Sequence, residues 1–134
     1  MTSGDIVHVE QVRFRDLDPM GHVNNAVFLT YIEQARVTYL AEVGAASGLE
    51  DMNMVVAHVE IDFKAPVRLG QEVEISVRAT RFGTKSFDLD YVLRVDGEVV
   101  AEAKSVQVAY DYGRQEPTEL PAAWREKMTA VAAA

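Results

Sequence analysis

The most constraining feature of this sequence is the apolar segment 25–43, NAVFLTYIEQARVTYLAEV, which predicts a helix surrounded by other structure. Its apolar residues recur at helical spacing and form one stripe: Phe28, Ile32, Ala35, Tyr39 and Val43. Others fall well outside that stripe: Val27, Leu29, Tyr31, Val37 and Leu40. A helix on a protein surface keeps a wide polar face, so we expect the rest of the chain to embrace this one. Asn24 or Asn25 can cap its start, and Gly44 can end it.

Alternating apolar and polar residues on either side of this helix predict strands. Residues 6–15 indicate a strand that leads into a loop, and four further segments alternate after the helix: 55–64, 73–79, 87–95 and 99–110. Asp96-Gly97 is a strong hairpin signal between the last two. A polar stretch at 47–53 precedes these four strands, and a short helix at 122–131 follows them. The order predicts one α+β domain over residues 1–134, with an antiparallel sheet of about five strands wrapped around one long helix.

Composition excludes several classes of function. Cysteine is absent from the 134 residues, which excludes disulfides, thiolate metal sites and a cysteine nucleophile and makes a cytoplasmic location the natural expectation. No apolar run reaches the roughly 20 residues that span a bilayer, so we expect no membrane partner. The net charge of -8 disfavours nucleic acid as a main partner, because phosphate binding needs a clustered cationic face. A small anionic ligand held by a few local cations remains compatible with this charge.

The segment 16–25, DLDPMGHVNN, concentrates polar side chains immediately before the predicted helix. A helix N-terminus has unpaired N–H groups that attract negative charge, and a carboxylate beside it ionises more easily. Such a carboxylate suits a nucleophile or a general base. Two other interpretations stay open: these residues only make loop and capping hydrogen bonds, or Asp16, Asp18 and His22 bind a metal. Adjacent residues of a tight loop seldom converge as a complete metal shell, which disfavours the metal site.

The run RFRDLDPMGHVNNAVFLTYIEQAR resembles the signature of hotdog-fold acyl-CoA thioesterases of the 4-hydroxybenzoyl-CoA thioesterase class. In that family an Asp-x-Asp loop continues through Gly-His-Val-Asn-Asn into the central helix. The matching residues are Asp16, Asp18, Gly21, His22, Val23, Asn24, Asn25, Tyr31, Glu33 and Arg36. Phe28 stands where the family usually has a tyrosine. The resemblance extends over nearly the whole chain and implies the hotdog fold and thioester hydrolysis.

The resemblance also implies roles for the loop residues. Asp18 would be the catalytic carboxylate, as nucleophile or general base, and the backbone N–H near Asn25 would polarise the thioester carbonyl. His22 would shape the loop and orient water. Structural roles would fall to Asp16, Gly21 and Asn24. Glu33 is an alternative catalytic carboxylate, because a helix carboxylate serves in some hotdog enzymes, whereas His58 lies on the polar side of its strand and is expected at the surface or an interface.

Substrate and partners follow from the same resemblance. The coenzyme A part of the substrate needs cations, and the candidates are Lys64, Arg68, Arg81 and Lys85. No metal or redox cofactor is expected. Hotdog domains pair edge to edge into a continuous sheet, which implies a homodimer or homotetramer with sites between subunits. Two rival functions stay open: an enoyl-CoA hydratase or dehydratase on the same fold, and a non-catalytic acyl-CoA-binding sensor.

Overall fold

The computed structural model describes residues 5–46 and 53–133 as two helices and an antiparallel sheet. The strands are β1 (Ile6–Gln11), β2 (Met54–Phe63), β3 (Glu72–Phe82), β4 (Ser86–Val95), β5 (Glu98–Asp111) and β6 (Glu116–Pro117). The helices are α1 (Asn25–Val43) and α2 (Ala122–Ala133), and a 3-10 turn covers Phe14–Asp16. Helix α1 therefore has the predicted bounds. The predicted polar stretch 47–53 lies outside the described residues, apart from Asn53.

The sheet has the order β1-β3-β4-β5-β2, and every neighbouring pair is antiparallel. The two-residue β6 pairs with the end of β5, and the sequence does not predict it because a strand this short has no readable alternation. Strands β1 and β2 are the two edges of the sheet. No helix in residues 5–46 and 53–133 is long and apolar enough to cross a membrane.

The first strand is shorter than the sequence predicts: it ends at Gln11 rather than at residue 15. The N–H of Val12 still donates to the carbonyl of Gln71 at 3.1 Å. The chain then turns, because the N–H of Asp16 donates to the carbonyl of Arg13 at 2.9 Å and the N–H of Arg13 donates to Oδ2 of Asp16 at 3.0 Å. These local bonds to an aspartate replace the sheet ladder and end the strand.

Helix α1 begins and ends at residues that satisfy its terminal backbone groups. The side chain of Asn24 accepts from the N–H of Ala26 at 2.8 Å, and Gly44 adopts the left-handed φ of 79° that follows many helices. The helix packs against β1 and β3 and buries one side of its surface: Phe28, Tyr31, Ile32, Ala35, Tyr39, Leu40 and Val43. Leu29 is 38% exposed, so the embrace expected from the sequence is incomplete in a single chain.

A second open apolar surface lies on the helix side of β2. Four side chains form it, and we call them the β2 strip: Val56, Val59, Ile61 and Phe63. They face the helix side because they pair with inward-facing residues of β5. The ring of Phe63 packs edge-on against the ring of Phe28 in α1, with the two ring centroids 5.2 Å apart. Val56 is 40% exposed and Phe63 is 45% exposed. The strip thus runs along an edge strand and is only partly covered by its own chain.

Candidate active site

Asp16 anchors the loop between β1 and α1. It is buried, and its Oδ2 accepts hydrogen bonds from the N–H of Arg13 at 3.0 Å and the hydroxyl of Tyr31 at 2.7 Å. Burial opposes ionisation of Asp16, but these two bonds and the nearby Arg13 guanidinium outweigh it and hold the pKa below its ordinary value. The carbonyl of Asp16 accepts from the N–H of Asn24 at 2.9 Å. Asp16 is therefore tied to the strand end, to the helix and to the residue that caps the helix.

Asp18 stands at the start of a tight turn that orients its carboxylate. Its Oδ1 accepts from the N–H of Met20 at 2.9 Å and from the N–H of His22 at 3.1 Å. Its own N–H donates to the carbonyl of His22 at 2.7 Å, and its carbonyl accepts from Gly21 at 3.0 Å. Gly21 has a φ of 83°, which a residue with a side chain rarely adopts. Within the described part of the chain no hydrogen bond or ion pair uses Oδ2 of Asp18, so this oxygen can still accept a hydrogen bond.

The start of helix α1 offers an unused donor next to this carboxylate. The Asn24 side chain accepts a hydrogen bond from the N–H of Ala26, and the Asn24 carbonyl accepts one from the N–H of Val27 at 2.9 Å. The N–H of Asn25 is given no acceptor by the residues that the structure describes. A free N–H at this position carries the partial positive charge of the helix terminus and can polarise a carbonyl oxygen.

One cavity of about 290 Å³ brings these groups together. Its lining combines loop, helix start and the segment that follows β2: Asp18, His22, Val23, Asn25, Phe28, Phe63, Lys64, Ala65 and Pro66. The three residues predicted to be catalytic, Asp18, His22 and Asn25, thus share a single space. A carboxylate oxygen and a backbone N–H donor beside each other are the two parts that acyl transfer needs.

The segment after β2 holds the far side of this cavity. The N–H of Val23 donates to the carbonyl of Val67 at 2.7 Å, and the backbones of His22 and Arg68 pair as an isolated antiparallel β-bridge. Arg68 is exposed beside the loop, and Lys64 lies 3.7 Å from Glu102 with about half of its side chain exposed. Two of the four predicted coenzyme cations, Lys64 and Arg68, therefore lie beside Asp18 in the same chain.

The other two predicted cations lie at the opposite end of the sheet. Arg81 is the second-last residue of β3, and its guanidinium is 2.8 Å from Asp88, whose side-chain hydrogen bond raises the pKa of Arg81. Lys85 is exposed in the turn between β3 and β4. Because the Asp18 loop adjoins the start of β3, the 11 residues of that strand, at about 3.3 Å each, place Lys85 roughly 30 Å from Asp18 in one chain.

Two further predicted residues lie outside this cavity. Glu33 is exposed on α1 and does not line the cavity that contains Asp18. His58 has a side chain that is 58% exposed and lies 3.6 Å from Glu60, as its place on the polar side of β2 predicts. The described residues contain no group of three or more His, Asp or Glu side chains arranged to hold a metal ion.

The structure also shows contributions that the sequence pattern does not reveal. Phe63 and Pro66 line the cavity, although the pattern singles out neither as a site residue. Tyr31 reads in the sequence as a motif match and an apolar side chain, yet its hydroxyl binds Asp16. The sequence feature that could have identified this role is the position of Tyr31 off the main apolar stripe of α1, where its hydroxyl can reach the loop.

Comparison with known proteins identifies the family of this chain. A model of the thioesterase-like superfamily matches residues 12–128. The 1,4-dihydroxy-2-naphthoyl-CoA hydrolase of Synechococcus elongatus is 30% identical over 115 residues, which cover 82% of this chain and 85% of that protein. The long-chain acyl-CoA thioesterase FadM of Escherichia coli is 30% identical over 122 residues, which cover 88% of this chain and 92% of that protein.

A solved structure extends the similarity to the whole chain. It is a thioesterase from Thermus thermophilus complexed with coenzyme A and Zn, with a TM-score of 0.88, 38% identity, and coverage of 100% of this chain and 99% of that one. The sheet wrapped around α1 is thus the hotdog fold that the resemblance implies. Because the family model matches residues 12–128 and relatives are 30% or more identical, the chain belongs to the thioesterase-like superfamily and is a thioester hydrolase of that family.

Proposed function

We propose that this protein hydrolyses an acyl-CoA thioester to a free acid and coenzyme A. The observation that carries the proposal is a cavity lined by both Asp18, whose Oδ2 has no partner in the described residues, and Asn25, whose N–H has no acceptor there. A thioester carbonyl bound there would direct its oxygen to the N–H, where preorganised donors commonly contribute about 3 to 4 kcal/mol to transition-state stabilisation. Its carbon would face Asp18.

Two routes to hydrolysis are compatible with this geometry. In the first, Oδ2 of Asp18 attacks the carbonyl carbon, the C–S bond breaks, coenzyme A leaves as a thiolate, and water hydrolyses the resulting anhydride. In the second, Asp18 takes a proton from a water molecule, which attacks the carbonyl directly, and the thiolate leaves. His22 lines the same cavity and is proposed to orient that water. Both routes use only protein groups and water, so we propose that no metal or redox cofactor takes part.

The proposed assembly is a homodimer that pairs the β2 edges. Strand β2 has 10 residues, and the β2 strip leaves its helix side partly exposed. A long, apolar and unpaired edge is a template for pairing with another strand. Pairing around a twofold axis is antiparallel, so the start of one β2 lies beside the end of the other.

This arrangement gives the distant cations a role. Met54 at the start of β2 pairs with Ala109, and the N–H of Ala109 donates to the carbonyl of Lys85 at 2.8 Å. Lys85 is therefore next to the start of β2, whereas Lys64 follows its end. In the proposed dimer, Lys85 and Arg81 of one subunit approach the Asp18 cavity of the other. Together with Lys64 and Arg68 they are proposed to bind the phosphates of coenzyme A.

The decisive experiment compares Asp18→Asn with Asp62→Asn, which removes an exposed carboxylate from β2. Released thiol is measured with an aromatic and a long-chain acyl-CoA, in the presence of a chelator. We expect Asp18→Asn to lower kcat by about a thousandfold or more and Asp62→Asn to retain activity. Full activity of Asp18→Asn would contradict the proposed mechanism. Tight acyl-CoA binding without turnover by the unmodified protein would instead indicate a sensor.

A further inference from the structure

We infer that Tyr31 is a positioning residue, which acts through Asp16 to hold both reacting groups of the site in place. The inference rests on the proposed function, because it assigns a kinetic consequence to the Asp18 and Asn25 geometry. Tyr31 itself does not line the cavity. Its contribution is the hydrogen bond that it donates from the buried side of α1 to the carboxylate of Asp16.

The hydrogen bond between Tyr31 and Asp16 is the described side-chain link from the body of α1 to the loop. Tyr31 has no exposed surface and Asp16 is 4% exposed, so neither group can exchange its partner for bulk water. Burial and the adjacent Asp16 carboxylate both raise the pKa of Tyr31, which keeps the hydroxyl protonated and able to donate. The other donors to this carboxylate come from Arg13, which lies in the same loop, and do not tie it to the helix.

Asp16 transmits this constraint in two directions. Along the chain it is two residues from Asp18, whose carboxylate orientation depends on the turn that follows. Across the loop its carbonyl holds the N–H of Asn24, the residue that caps α1 and leaves the N–H of Asn25 unused. A displacement of Asp16 therefore moves the carboxylate and the N–H donor relative to each other. A misplacement of about 1 Å between reacting groups can cost roughly a hundredfold in rate.

The test is Tyr31→Phe, which removes the hydroxyl and keeps the ring in the core. We expect kcat to fall by about 10- to 100-fold while KM changes by less than about twofold, because the substrate contacts remain and their geometry loosens. Rates are measured at a temperature where circular dichroism shows a fully folded protein. Amide hydrogen exchange at Asn24 should become faster in this variant, because its acceptor on Asp16 is no longer held.

Tyr39→Phe is the matched control. Tyr39 lies on the same helix and is buried, and burial raises its pKa to about 12, but its hydroxyl lies near the backbone of Ala79 in β3 rather than near the loop. We expect this variant to keep kcat and the exchange rate at Asn24. If both phenylalanine variants lower kcat equally, the effect belongs to general packing and the inference is wrong.

A double-mutant cycle with Asp16→Asn separates action through Asp16 from any other effect. If Tyr31 acts through Asp16, adding Tyr31→Phe to Asp16→Asn causes little further loss of kcat. Additive losses would overturn the inference. Failure of the proposed function has a different signature, since the unmodified protein would then release no thiol, while exchange at Asn24 would still report whether Tyr31 holds the loop.

Discussion

The substitution Val56→Asp tests the proposed dimer at the edge where the structure leaves an apolar side chain open. Val56 lies on the helix side of β2 and is 40% exposed in one chain. If the β2 edges pair, that remaining surface becomes buried, which is worth about 0.8 kcal/mol of a valine transfer energy near 2 kcal/mol. Burying an unpaired carboxylate there costs about 2 kcal/mol more.

The twofold axis doubles this effect, because each dimer contains two copies of the substitution. The sum is about 6 kcal/mol, which weakens dimerisation by roughly 10⁴-fold at about 1.4 kcal/mol per factor of ten. A nanomolar dimer would thus dissociate at micromolar concentration. In the monomer the position is 40% exposed, so the carboxylate can reach water and we expect the free energy of unfolding to change by about 1 kcal/mol. Sedimentation at about 1 μM should then show a species of 14.8 kDa.

Val9→Asp is the matched control, because Val9 is 50% exposed on β1, the other edge of the sheet. We expect this variant to sediment as the unmodified protein does. Dissociation by Val9→Asp with retention of the dimer by Val56→Asp would place the interface at β1 and refute the argument from the β2 strip. If each of the two variants remains a dimer, neither edge is the main contact.

Two further predictions address the separated cations and the buried anchor of the loop. Lys85→Glu should raise KM for an acyl-CoA and leave KM nearly unchanged for the matching acyl-pantetheine, which lacks the nucleotide. Lys104→Glu, on the outer face of the sheet, is the control. Equal changes in KM for both substrates would contradict a contact between Lys85 and the phosphates. Asp16 has a pKa lowered in the folded protein, so its stabilising contribution is present above the unfolded value of about 3.9 and is lost as pH falls through the folded value. The difference in unfolding free energy between the unmodified protein and Asp16→Asn, measured by denaturant titration, should therefore be larger at pH 7 than at pH 2, and a constant difference would show that ionisation of Asp16 contributes nothing.

The parts of the fold that the sequence predicted are those with local causes. The bounds of α1 follow from Asn24, which accepts a backbone N–H, and from Gly44, which takes a positive φ. The predicted end of β1 is wrong because a side-chain bond between Asp16 and the backbone of Arg13 competes with strand pairing in a way that alternation does not report. Strand order could not be predicted, since the placement of β2 beside β5 is a long-range choice.

The same distinction applies to the site. Asp18 receives its two backbone donors from residues two and four positions later, so the DLDPMGHVNN pattern alone contains the turn that orients it. The lining residue Phe63 and the bond from Tyr31 to Asp16 join segments far apart in the chain and needed the tertiary structure. The separation of Lys64 from Lys85 was accessible in principle, because successive turns of an antiparallel sheet lie at alternate ends.

If Lys85 contributes to the coenzyme A site as proposed, its distance from Asp18 limits which assembly can complete that site. A single chain keeps Lys85 roughly a strand length from Asp18, and a parallel arrangement of two β2 strands would place like ends together and leave the distance unchanged. In the proposed dimer, a twofold axis through the β2 edge reverses one strand relative to the other, so the Asp18 cavity of each subunit would lie beside the Lys85 end of its partner. Closed twofold pairing would cover the β2 strip and bring Lys85 of each subunit to the cavity of the other, equally for both copies. If Lys85 binds coenzyme A as proposed, its position requires antiparallel pairing of the β2 edges, independently of the apolar surface of the β2 strip.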